Sequence, residues 1–219
     1  EAFAGFLTHT DSEVGRLLDF IKSIDEYDNT LVLIMSDNGA SAEGGPGGSF
    51  NEKYFYNFVP ESLAENLKRI DLIGSEHSNN HYPWGWAWAG NTPLKRFKRD
   101  THEGGVCDPL IVQWPQRLKN VGETRHQYLH IVDMLPTLLD VIGIEAPRHI
   151  NGVEQAPFNG VSFAHTLESA AEPSKHITQY YEMLGSRALY HDGWKAVVFH
   201  PPGMMNYESG NVNPSFDDD

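Results

Sequence analysis

The stretch Thr30-Leu31-Val32-Leu33-Ile34-Met35-Ser36-Asp37-Asn38-Gly39 decides the fold class. A run that is apolar and β-branched without polar alternation is expected for a strand covered on both faces, the habit of parallel sheets in α/β proteins. Asp37 and Asn38 then sit at the strand's carboxyl end, where open α/β sheets bind ligands. A carboxylate oxygen beside an amide oxygen suits a hard cation such as calcium or magnesium, although calcium takes about six to eight ligands and two are too few. Asp, Asn and Gly are also the commonest turn residues, so the tripeptide reads equally as a turn.

Upstream of this strand, Phe3, Phe6, Leu7, Val14, Leu17, Leu18 and Ile21 recur at three- and four-residue spacing, which predicts an amphipathic helix over residues 2–24. Downstream, Gly, Ser and Asn crowd residues 39–51, a helix is expected from Pro60 to Ile70, and residues 71–93 read as a long aromatic loop. Tyr82, Trp84, Trp86 and Trp88 in that loop suit either of two tasks, lining a cleft for flat rings or fastening the loop to the domain. Leu110 to Trp114 reads as a second buried strand. Val132 to Ile142 reads as a helix, with Pro136 near its first turn and Gly143 as its cap.

From about Lys175 the pattern changes to short alternating runs joined by Asp192-Gly193, the mark of an antiparallel meander with a tight turn. The last stretch, from Pro201 to Asp219, has no periodicity and reads as a cut end. The sequence is therefore expected to be α/β, with a partial, mostly parallel sheet flanked by helices over residues 1–169. Part of a small antiparallel domain is expected over residues 170–219.

The 219 residues, 40% of them hydrophobic, are enough for one domain or one domain plus part of another. Thirty acidic residues against 16 basic ones give a net charge of -14, which argues against a nucleic-acid surface and is compatible with cation binding. Cys107 is the only cysteine, so neither an internal disulfide framework nor a cysteine-only metal site can form. It is read as a core residue entering the second strand. No apolar run is long enough to span a membrane, and the opening EAFAGFLTH has neither an initiator Met nor a signal pattern, so the true N-terminus is expected upstream. The compartment stays open.

Thr92 to Gly105 form the second candidate segment, TPLKRFKRDTHEGG, in which Lys95, Arg96, Lys98 and Arg99 meet His102, Glu103 and a Gly pair. A lysine there supplies a point charge able to neutralise a sulfate or phosphate oxygen and a leaving group. A solvated basic loop is the alternative reading.

Taken in order, TLVLIMSDNGA (30–40), TPLKRFKRDTHEGG (92–105) and HIVDMLPTLLDVIGIEAP (130–147) resemble the segments of the C-terminal half of type I sulfatases, the arylsulfatase family of the alkaline phosphatase superfamily. YYEMLGSRALYHDGWKAV (180–197) resembles the start of that family's small C-terminal domain, and the whole is most similar to bacterial arylsulfatases with a long insertion after SDNG. The resemblance implies that Asp37 and Asn38 are two calcium ligands and that calcium polarises a sulfate oxygen. It implies that Lys98, placed as in the family's K-x-x-x-x-E-G-G segment, contacts the sulfate. His102 varies in the family and is given no catalytic role.

The family's nucleophile is a formylglycine made from Cys or Ser in a C-x-P-x-R segment, whose hydrate attacks sulfur, expels the alcohol and then eliminates sulfate. Cys107-Asp108-Pro109-Leu110-Ile111 has the Pro but carries Ile where that segment has Arg, so the nucleophile is expected upstream, together with the family's aspartate pair. Implied partners are a small aryl or sugar sulfate ester and, for the full-length parent, the formylglycine-generating enzyme, with neither nucleic acid nor membrane. Two competing readings are a phosphodiesterase or phosphonate ester hydrolase of the same superfamily, and a non-catalytic cation- or glycan-binding module.

Overall fold

The structure, a computed structural model, describes residues 1–57, 59–119 and 122–200. Helix α1 (Ala2–Ser23) follows the predicted three-and-four spacing. Its apolar stripe stays open: Phe3, Phe6, Leu17 and Phe20 are all exposed, although Phe3 meets the Tyr82 ring edge-on at 5.3 Å.

Strand β1 (Val32–Met35) forms inside the apolar run and pairs with the later strand Leu110–Gln113, Val32 opposite Gln113 and Met35 opposite Leu110. The pairing is antiparallel, as is every strand pair in the sheets of the described residues, and the large, mostly parallel sheet is not among them. Coverage of β1 on both faces is not seen either. Val32 and Leu33 are half-buried, whereas Ile34, Met35 and the facing Ile111 are exposed. An apolar run records that a strand is suited to burial; it encodes neither the direction of its neighbour nor what lies over its faces.

Beyond the glycine-rich segment come α2 (Glu52–Tyr56) and α3 (Leu63–Lys68), the latter continued by a 3-10 turn over Ile70–Leu72 within and just past the expected 60–70 helix. The aromatic stretch is not all loop: Trp84–Asn91 form helix α4, entered from an extended Pro83. Four-residue spacing puts Trp84 and Trp88 on one face of α4, and both rings pack on Phe97, at 6.5 Å and 5.6 Å between centroids. Ala87, Phe97 and Ala42 form the buried cluster, with Ala40, Tyr82 and Trp84 packed around it.

Helix α5 (Glu103–Val106) leads into β2 (Leu110–Gln113). Helix α6 (Met134–Ile142) follows a 3-10 turn, with Pro136 in its first turn, where a missing N–H costs nothing, and Gly143 closing it at φ 72°. A small hairpin of β3 (His149–Ile150) and β4 (Val153–Glu154) and the short α7 (Ala164–Glu168) come next. The expected meander is β5 (Thr178–Met183), β6 (Ser186–His191) and β7 (Trp194–Val198), with Asp192 at φ 43° and Gly193 at φ 84° in the turn. The stretch read as a cut end, residues 201–219, lies outside the described residues.

Asp133 fastens this sheet to α6. Its side chain is fully buried and accepts from the backbone N–H of His130 and of Val161, each at 2.8 Å, while His176 Nδ1 faces both carboxylate oxygens at 2.8 Å. A buried carboxylate is tolerated only when donors replace its lost water, as they do here.

Candidate anion and cation site

The chain leaves β1 at Met35 and turns, Ser36 Oγ donating to the Asn38 carbonyl at 2.8 Å. Asp37 is exposed and Asn38 half-buried at the strand's carboxyl end. Continuing the β1–β2 register two places beyond the Met35–Leu110 pair sets Asp37 opposite Asp108. The Asp108 carboxyl is raised above its usual value, by burial first and by the charge of Asp37 second. The two carboxylates therefore feel each other's charge at the end of the β1–β2 ladder, with Asn38 next to Asp37 in sequence.

The basic segment docks directly on the residues after this turn. Gly39 N–H donates to the Gly105 carbonyl at 3.2 Å, and Lys98 N–H donates to the Ala40 carbonyl at 3.0 Å. Such close approach depends on the glycines: a Cβ on Gly39 would lie 1.7 Å from the Gly104 oxygen, and one on Gly104 would lie 2.0 Å from the Arg96 oxygen. The structure thus brings Asp37 and Asn38 into one neighbourhood with the Lys98 loop.

Asn91, at the end of α4, joins the two segments through its side chain. Its Nδ2 donates to the carbonyls of Arg96 at 2.9 Å and Gly104 at 2.7 Å, and its Oδ1 accepts from Ala40 N–H at 3.2 Å. Asn91→Ala strands three part-buried backbone groups, so a loss of about 2 kcal/mol is expected, checked by the shift in urea midpoint. An unshifted midpoint would show that water replaces the amide without cost.

Lys98 itself is one-third exposed, and its Nζ lies 3.1 Å from Glu43 Oε2. Arg99 reaches the other oxygen, Oε1, at 2.7 Å, and Ser41 Oγ donates to Oε2 at 3.0 Å. Burial alone would raise the carboxyl of Glu43; Lys98, Ser41 and Arg99 outweigh it and hold the pKa below the usual value. Neither Glu43 nor Asn91 stands out in the sequence. Glu43 is a single acid in a glycine-rich stretch, and the three-residue step from Ala40 is its only link to the SDNG turn.

The small sheet covers another side of the basic loop. Lys195 of β7 bridges to Glu103, the Arg96 guanidinium lies 3.8 Å over the Phe199 ring, and His102 faces the same ring at 6.5 Å. His102 Nδ1 also contacts Asp100, which makes it part of the loop's scaffold. Among the aromatic candidates, Trp84 donates its Nε1–H to the Ala42 carbonyl at 2.7 Å, so it and Trp88 fasten α4 down, whereas Trp86, on the other side of the helix, is 66% exposed.

Cys107 is exposed, not a core residue, because it falls in the link between α5 and β2, ahead of the paired strand. Its thiol is nonetheless raised, by desolvation first and then by Glu103, which makes it a poor nucleophile at neutral pH.

A family model described as Sulfatase matches residues 1–144, well over half of the chain. The chain belongs to the sulfatase family. An uncharacterized sulfatase of Schizosaccharomyces pombe is 30% identical over 93% of this chain and 36% of its own length. The arylsulfatase of Klebsiella aerogenes is 25% identical over 84% of this chain and 37% of its own, and human N-acetylgalactosamine-6-sulfatase is 26% identical over 67% and 21%. This sulfatase chain spans little more than a third of the length of the first two relatives. The matched span takes in both the SDNG turn and the Lys98 loop.

Proposed function

We propose that the protein to which this chain belongs hydrolyses sulfate monoesters, an aryl or sugar sulfate being the substrate class. The observation that carries the reading is the docking of Gly39 and Ala40, the residues that follow Asp37-Asn38, against Lys98–Gly105, in a chain of the sulfatase family. Lys98, on a flexible stem beside the turn, is the group that contacts the sulfate and neutralises charge developing on its oxygens. Two relatives, an arylsulfatase and an N-acetylgalactosamine-6-sulfatase, fit aryl and sugar esters respectively.

Asp37 and Asn38 would hold calcium together with ligands beyond these two. The pairing of a carboxylate with an amide oxygen fits the ion, and the repulsion between Asp37 and Asp108 favours a divalent charge there. Among the described residues no three His, Cys, Asp or Glu side chains gather closely enough to hold a metal ion, so the remaining donors come from elsewhere in the protein or from water. Bound calcium supplies Lewis-acid polarisation of a sulfate oxygen.

Cys107 does not fit the formylglycine precursor, since its segment carries Ile111 in place of the Arg of C-x-P-x-R. The formylglycine nucleophile in this reading lies outside the 219 residues, and the formylglycine-generating enzyme is the partner that installs it. The α/β catalytic part reaches residue 169 and the small antiparallel domain begins after it.

Asp37→Ala in the complete protein tests the metal assignment. Loss of a charged ligand is expected to weaken calcium binding about 10–100-fold, with turnover of a chromogenic aryl sulfate falling at low calcium and recovering in excess. An unchanged calcium titration removes Asp37 from the ligand set, and no sulfate ester cleavage by the wild-type protein at saturating calcium defeats the functional reading itself.

A further inference from the structure

Glu43 is a 7% exposed acid held between two cations and a hydroxyl, beside a site expected to receive an anion. Such a group costs desolvation energy that its ion pairs must offset, so a hydrophobic residue would serve packing as well or better. Its placement suggests a different use. Lys98 is tied at both ends to one short segment: its backbone N–H goes to Ala40 and its ammonium to Glu43, three residues on. An unrestrained lysine spreads its charge over many rotamers, whereas an ammonium with one of its three N–H groups on a buried carboxylate presents the other two in fixed directions. Lys98, Arg99 and Glu43 together carry one net positive charge, against two for the cations alone.

We infer that Glu43 is a positioning residue for the anion-contacting Lys98, aiming its ammonium and tempering its charge so that sulfate is held firmly in the transition state without being retained as product. The inference rests on the proposed sulfate contact of Lys98. It carries a signature of opposite signs. Removing the charge of Glu43 leaves a less restrained, more strongly cationic pair, so product sulfate binds more tightly while turnover slows. A purely structural Glu43 would, on removal, weaken sulfate binding and turnover together.

The experiment is Glu43→Gln in the complete enzyme, with aryl sulfate turnover and competitive inhibition by inorganic sulfate measured side by side. Expected are a kcat about tenfold lower and an inhibition constant for sulfate about fivefold lower. A sulfate inhibition constant that is unchanged or higher overturns the inference. Should Glu43→Gln fail to fold, Glu43→Asp decides: it keeps the charge but draws it back from Lys98, so kcat falls while sulfate affinity stays near wild type, and an unchanged kcat overturns the inference. Lys98→Ala separates the two layers of the reading. If that variant leaves sulfate inhibition unchanged, the proposed contact of Lys98 fails and takes the role of Glu43 with it.

Discussion

Gly104→Ala is expected to lower the stability of the complete protein by about 3 kcal/mol or more, enough to leave many domains largely unfolded. The added Cβ would stand 2.0 Å from the Arg96 oxygen and 2.6 Å from the Lys95 oxygen, and both are backbone atoms. Neither can step aside cheaply. The Arg96 carbonyl is held by Asn91, and the Lys95 carbonyl accepts from Gly104 N–H itself at 2.8 Å. Urea denaturation of the variant reads the loss as a lower midpoint at similar slope. Gly85 in α4 supplies the control, since a Cβ there meets nothing within 4 Å and Gly85→Ala is expected to be neutral or to stabilise by about 0.5–1 kcal/mol. Equal midpoints for the two variants would mean that the turn and the basic loop are not packed as closely as described.

That close packing explains why part of the site could be read from the sequence and part could not. Local chemistry was legible: the spacing that makes α1 and α6 helical, the Asp192-Gly193 turn, and the strand that delivers Asp37 and Asn38 to its end all depend on neighbours within a few residues. Groups whose meaning comes from distant partners were not. Lys98 finds Glu43 across 55 positions, Asn91 finds Ala40 across 51, and Asp133 finds His176 across 43. No periodicity marks such pairs, because each is fixed by the fold as a whole. Strand direction belongs to the same class. The apolar run Leu31–Met35 is equally good material for either pairing, and the antiparallel ladder with β2 follows from where the chain returns. Helix α4 was hidden for another reason: tryptophan and glycine are weak helix formers, and packing of Trp84 and Trp88 on Phe97 overrides that preference.

Lys98→Ala is the substitution with the largest expected effect on chemistry, a fall in sulfate ester turnover of about 10²–10³-fold, because a charge aimed at the developing oxyanion is lost. The accompanying loss of stability should be small beside it. The Lys98 side chain is 34% exposed, and after its removal Glu43 keeps both Arg99 at 2.7 Å and Ser41 at 3.0 Å, so the buried carboxylate is not left alone. The backbone bond from residue 98 to Ala40 does not involve the side chain and should survive the change. Turnover and urea midpoint measured on the same preparation therefore separate the two roles open to this lysine. A large fall in kcat/KM with the midpoint nearly in place assigns it to the anion. Normal turnover with a lowered midpoint would make Lys98 one half of an ion pair that only anchors the loop, and the anion contact would then have to be sought among the other cations of Lys95–Arg99.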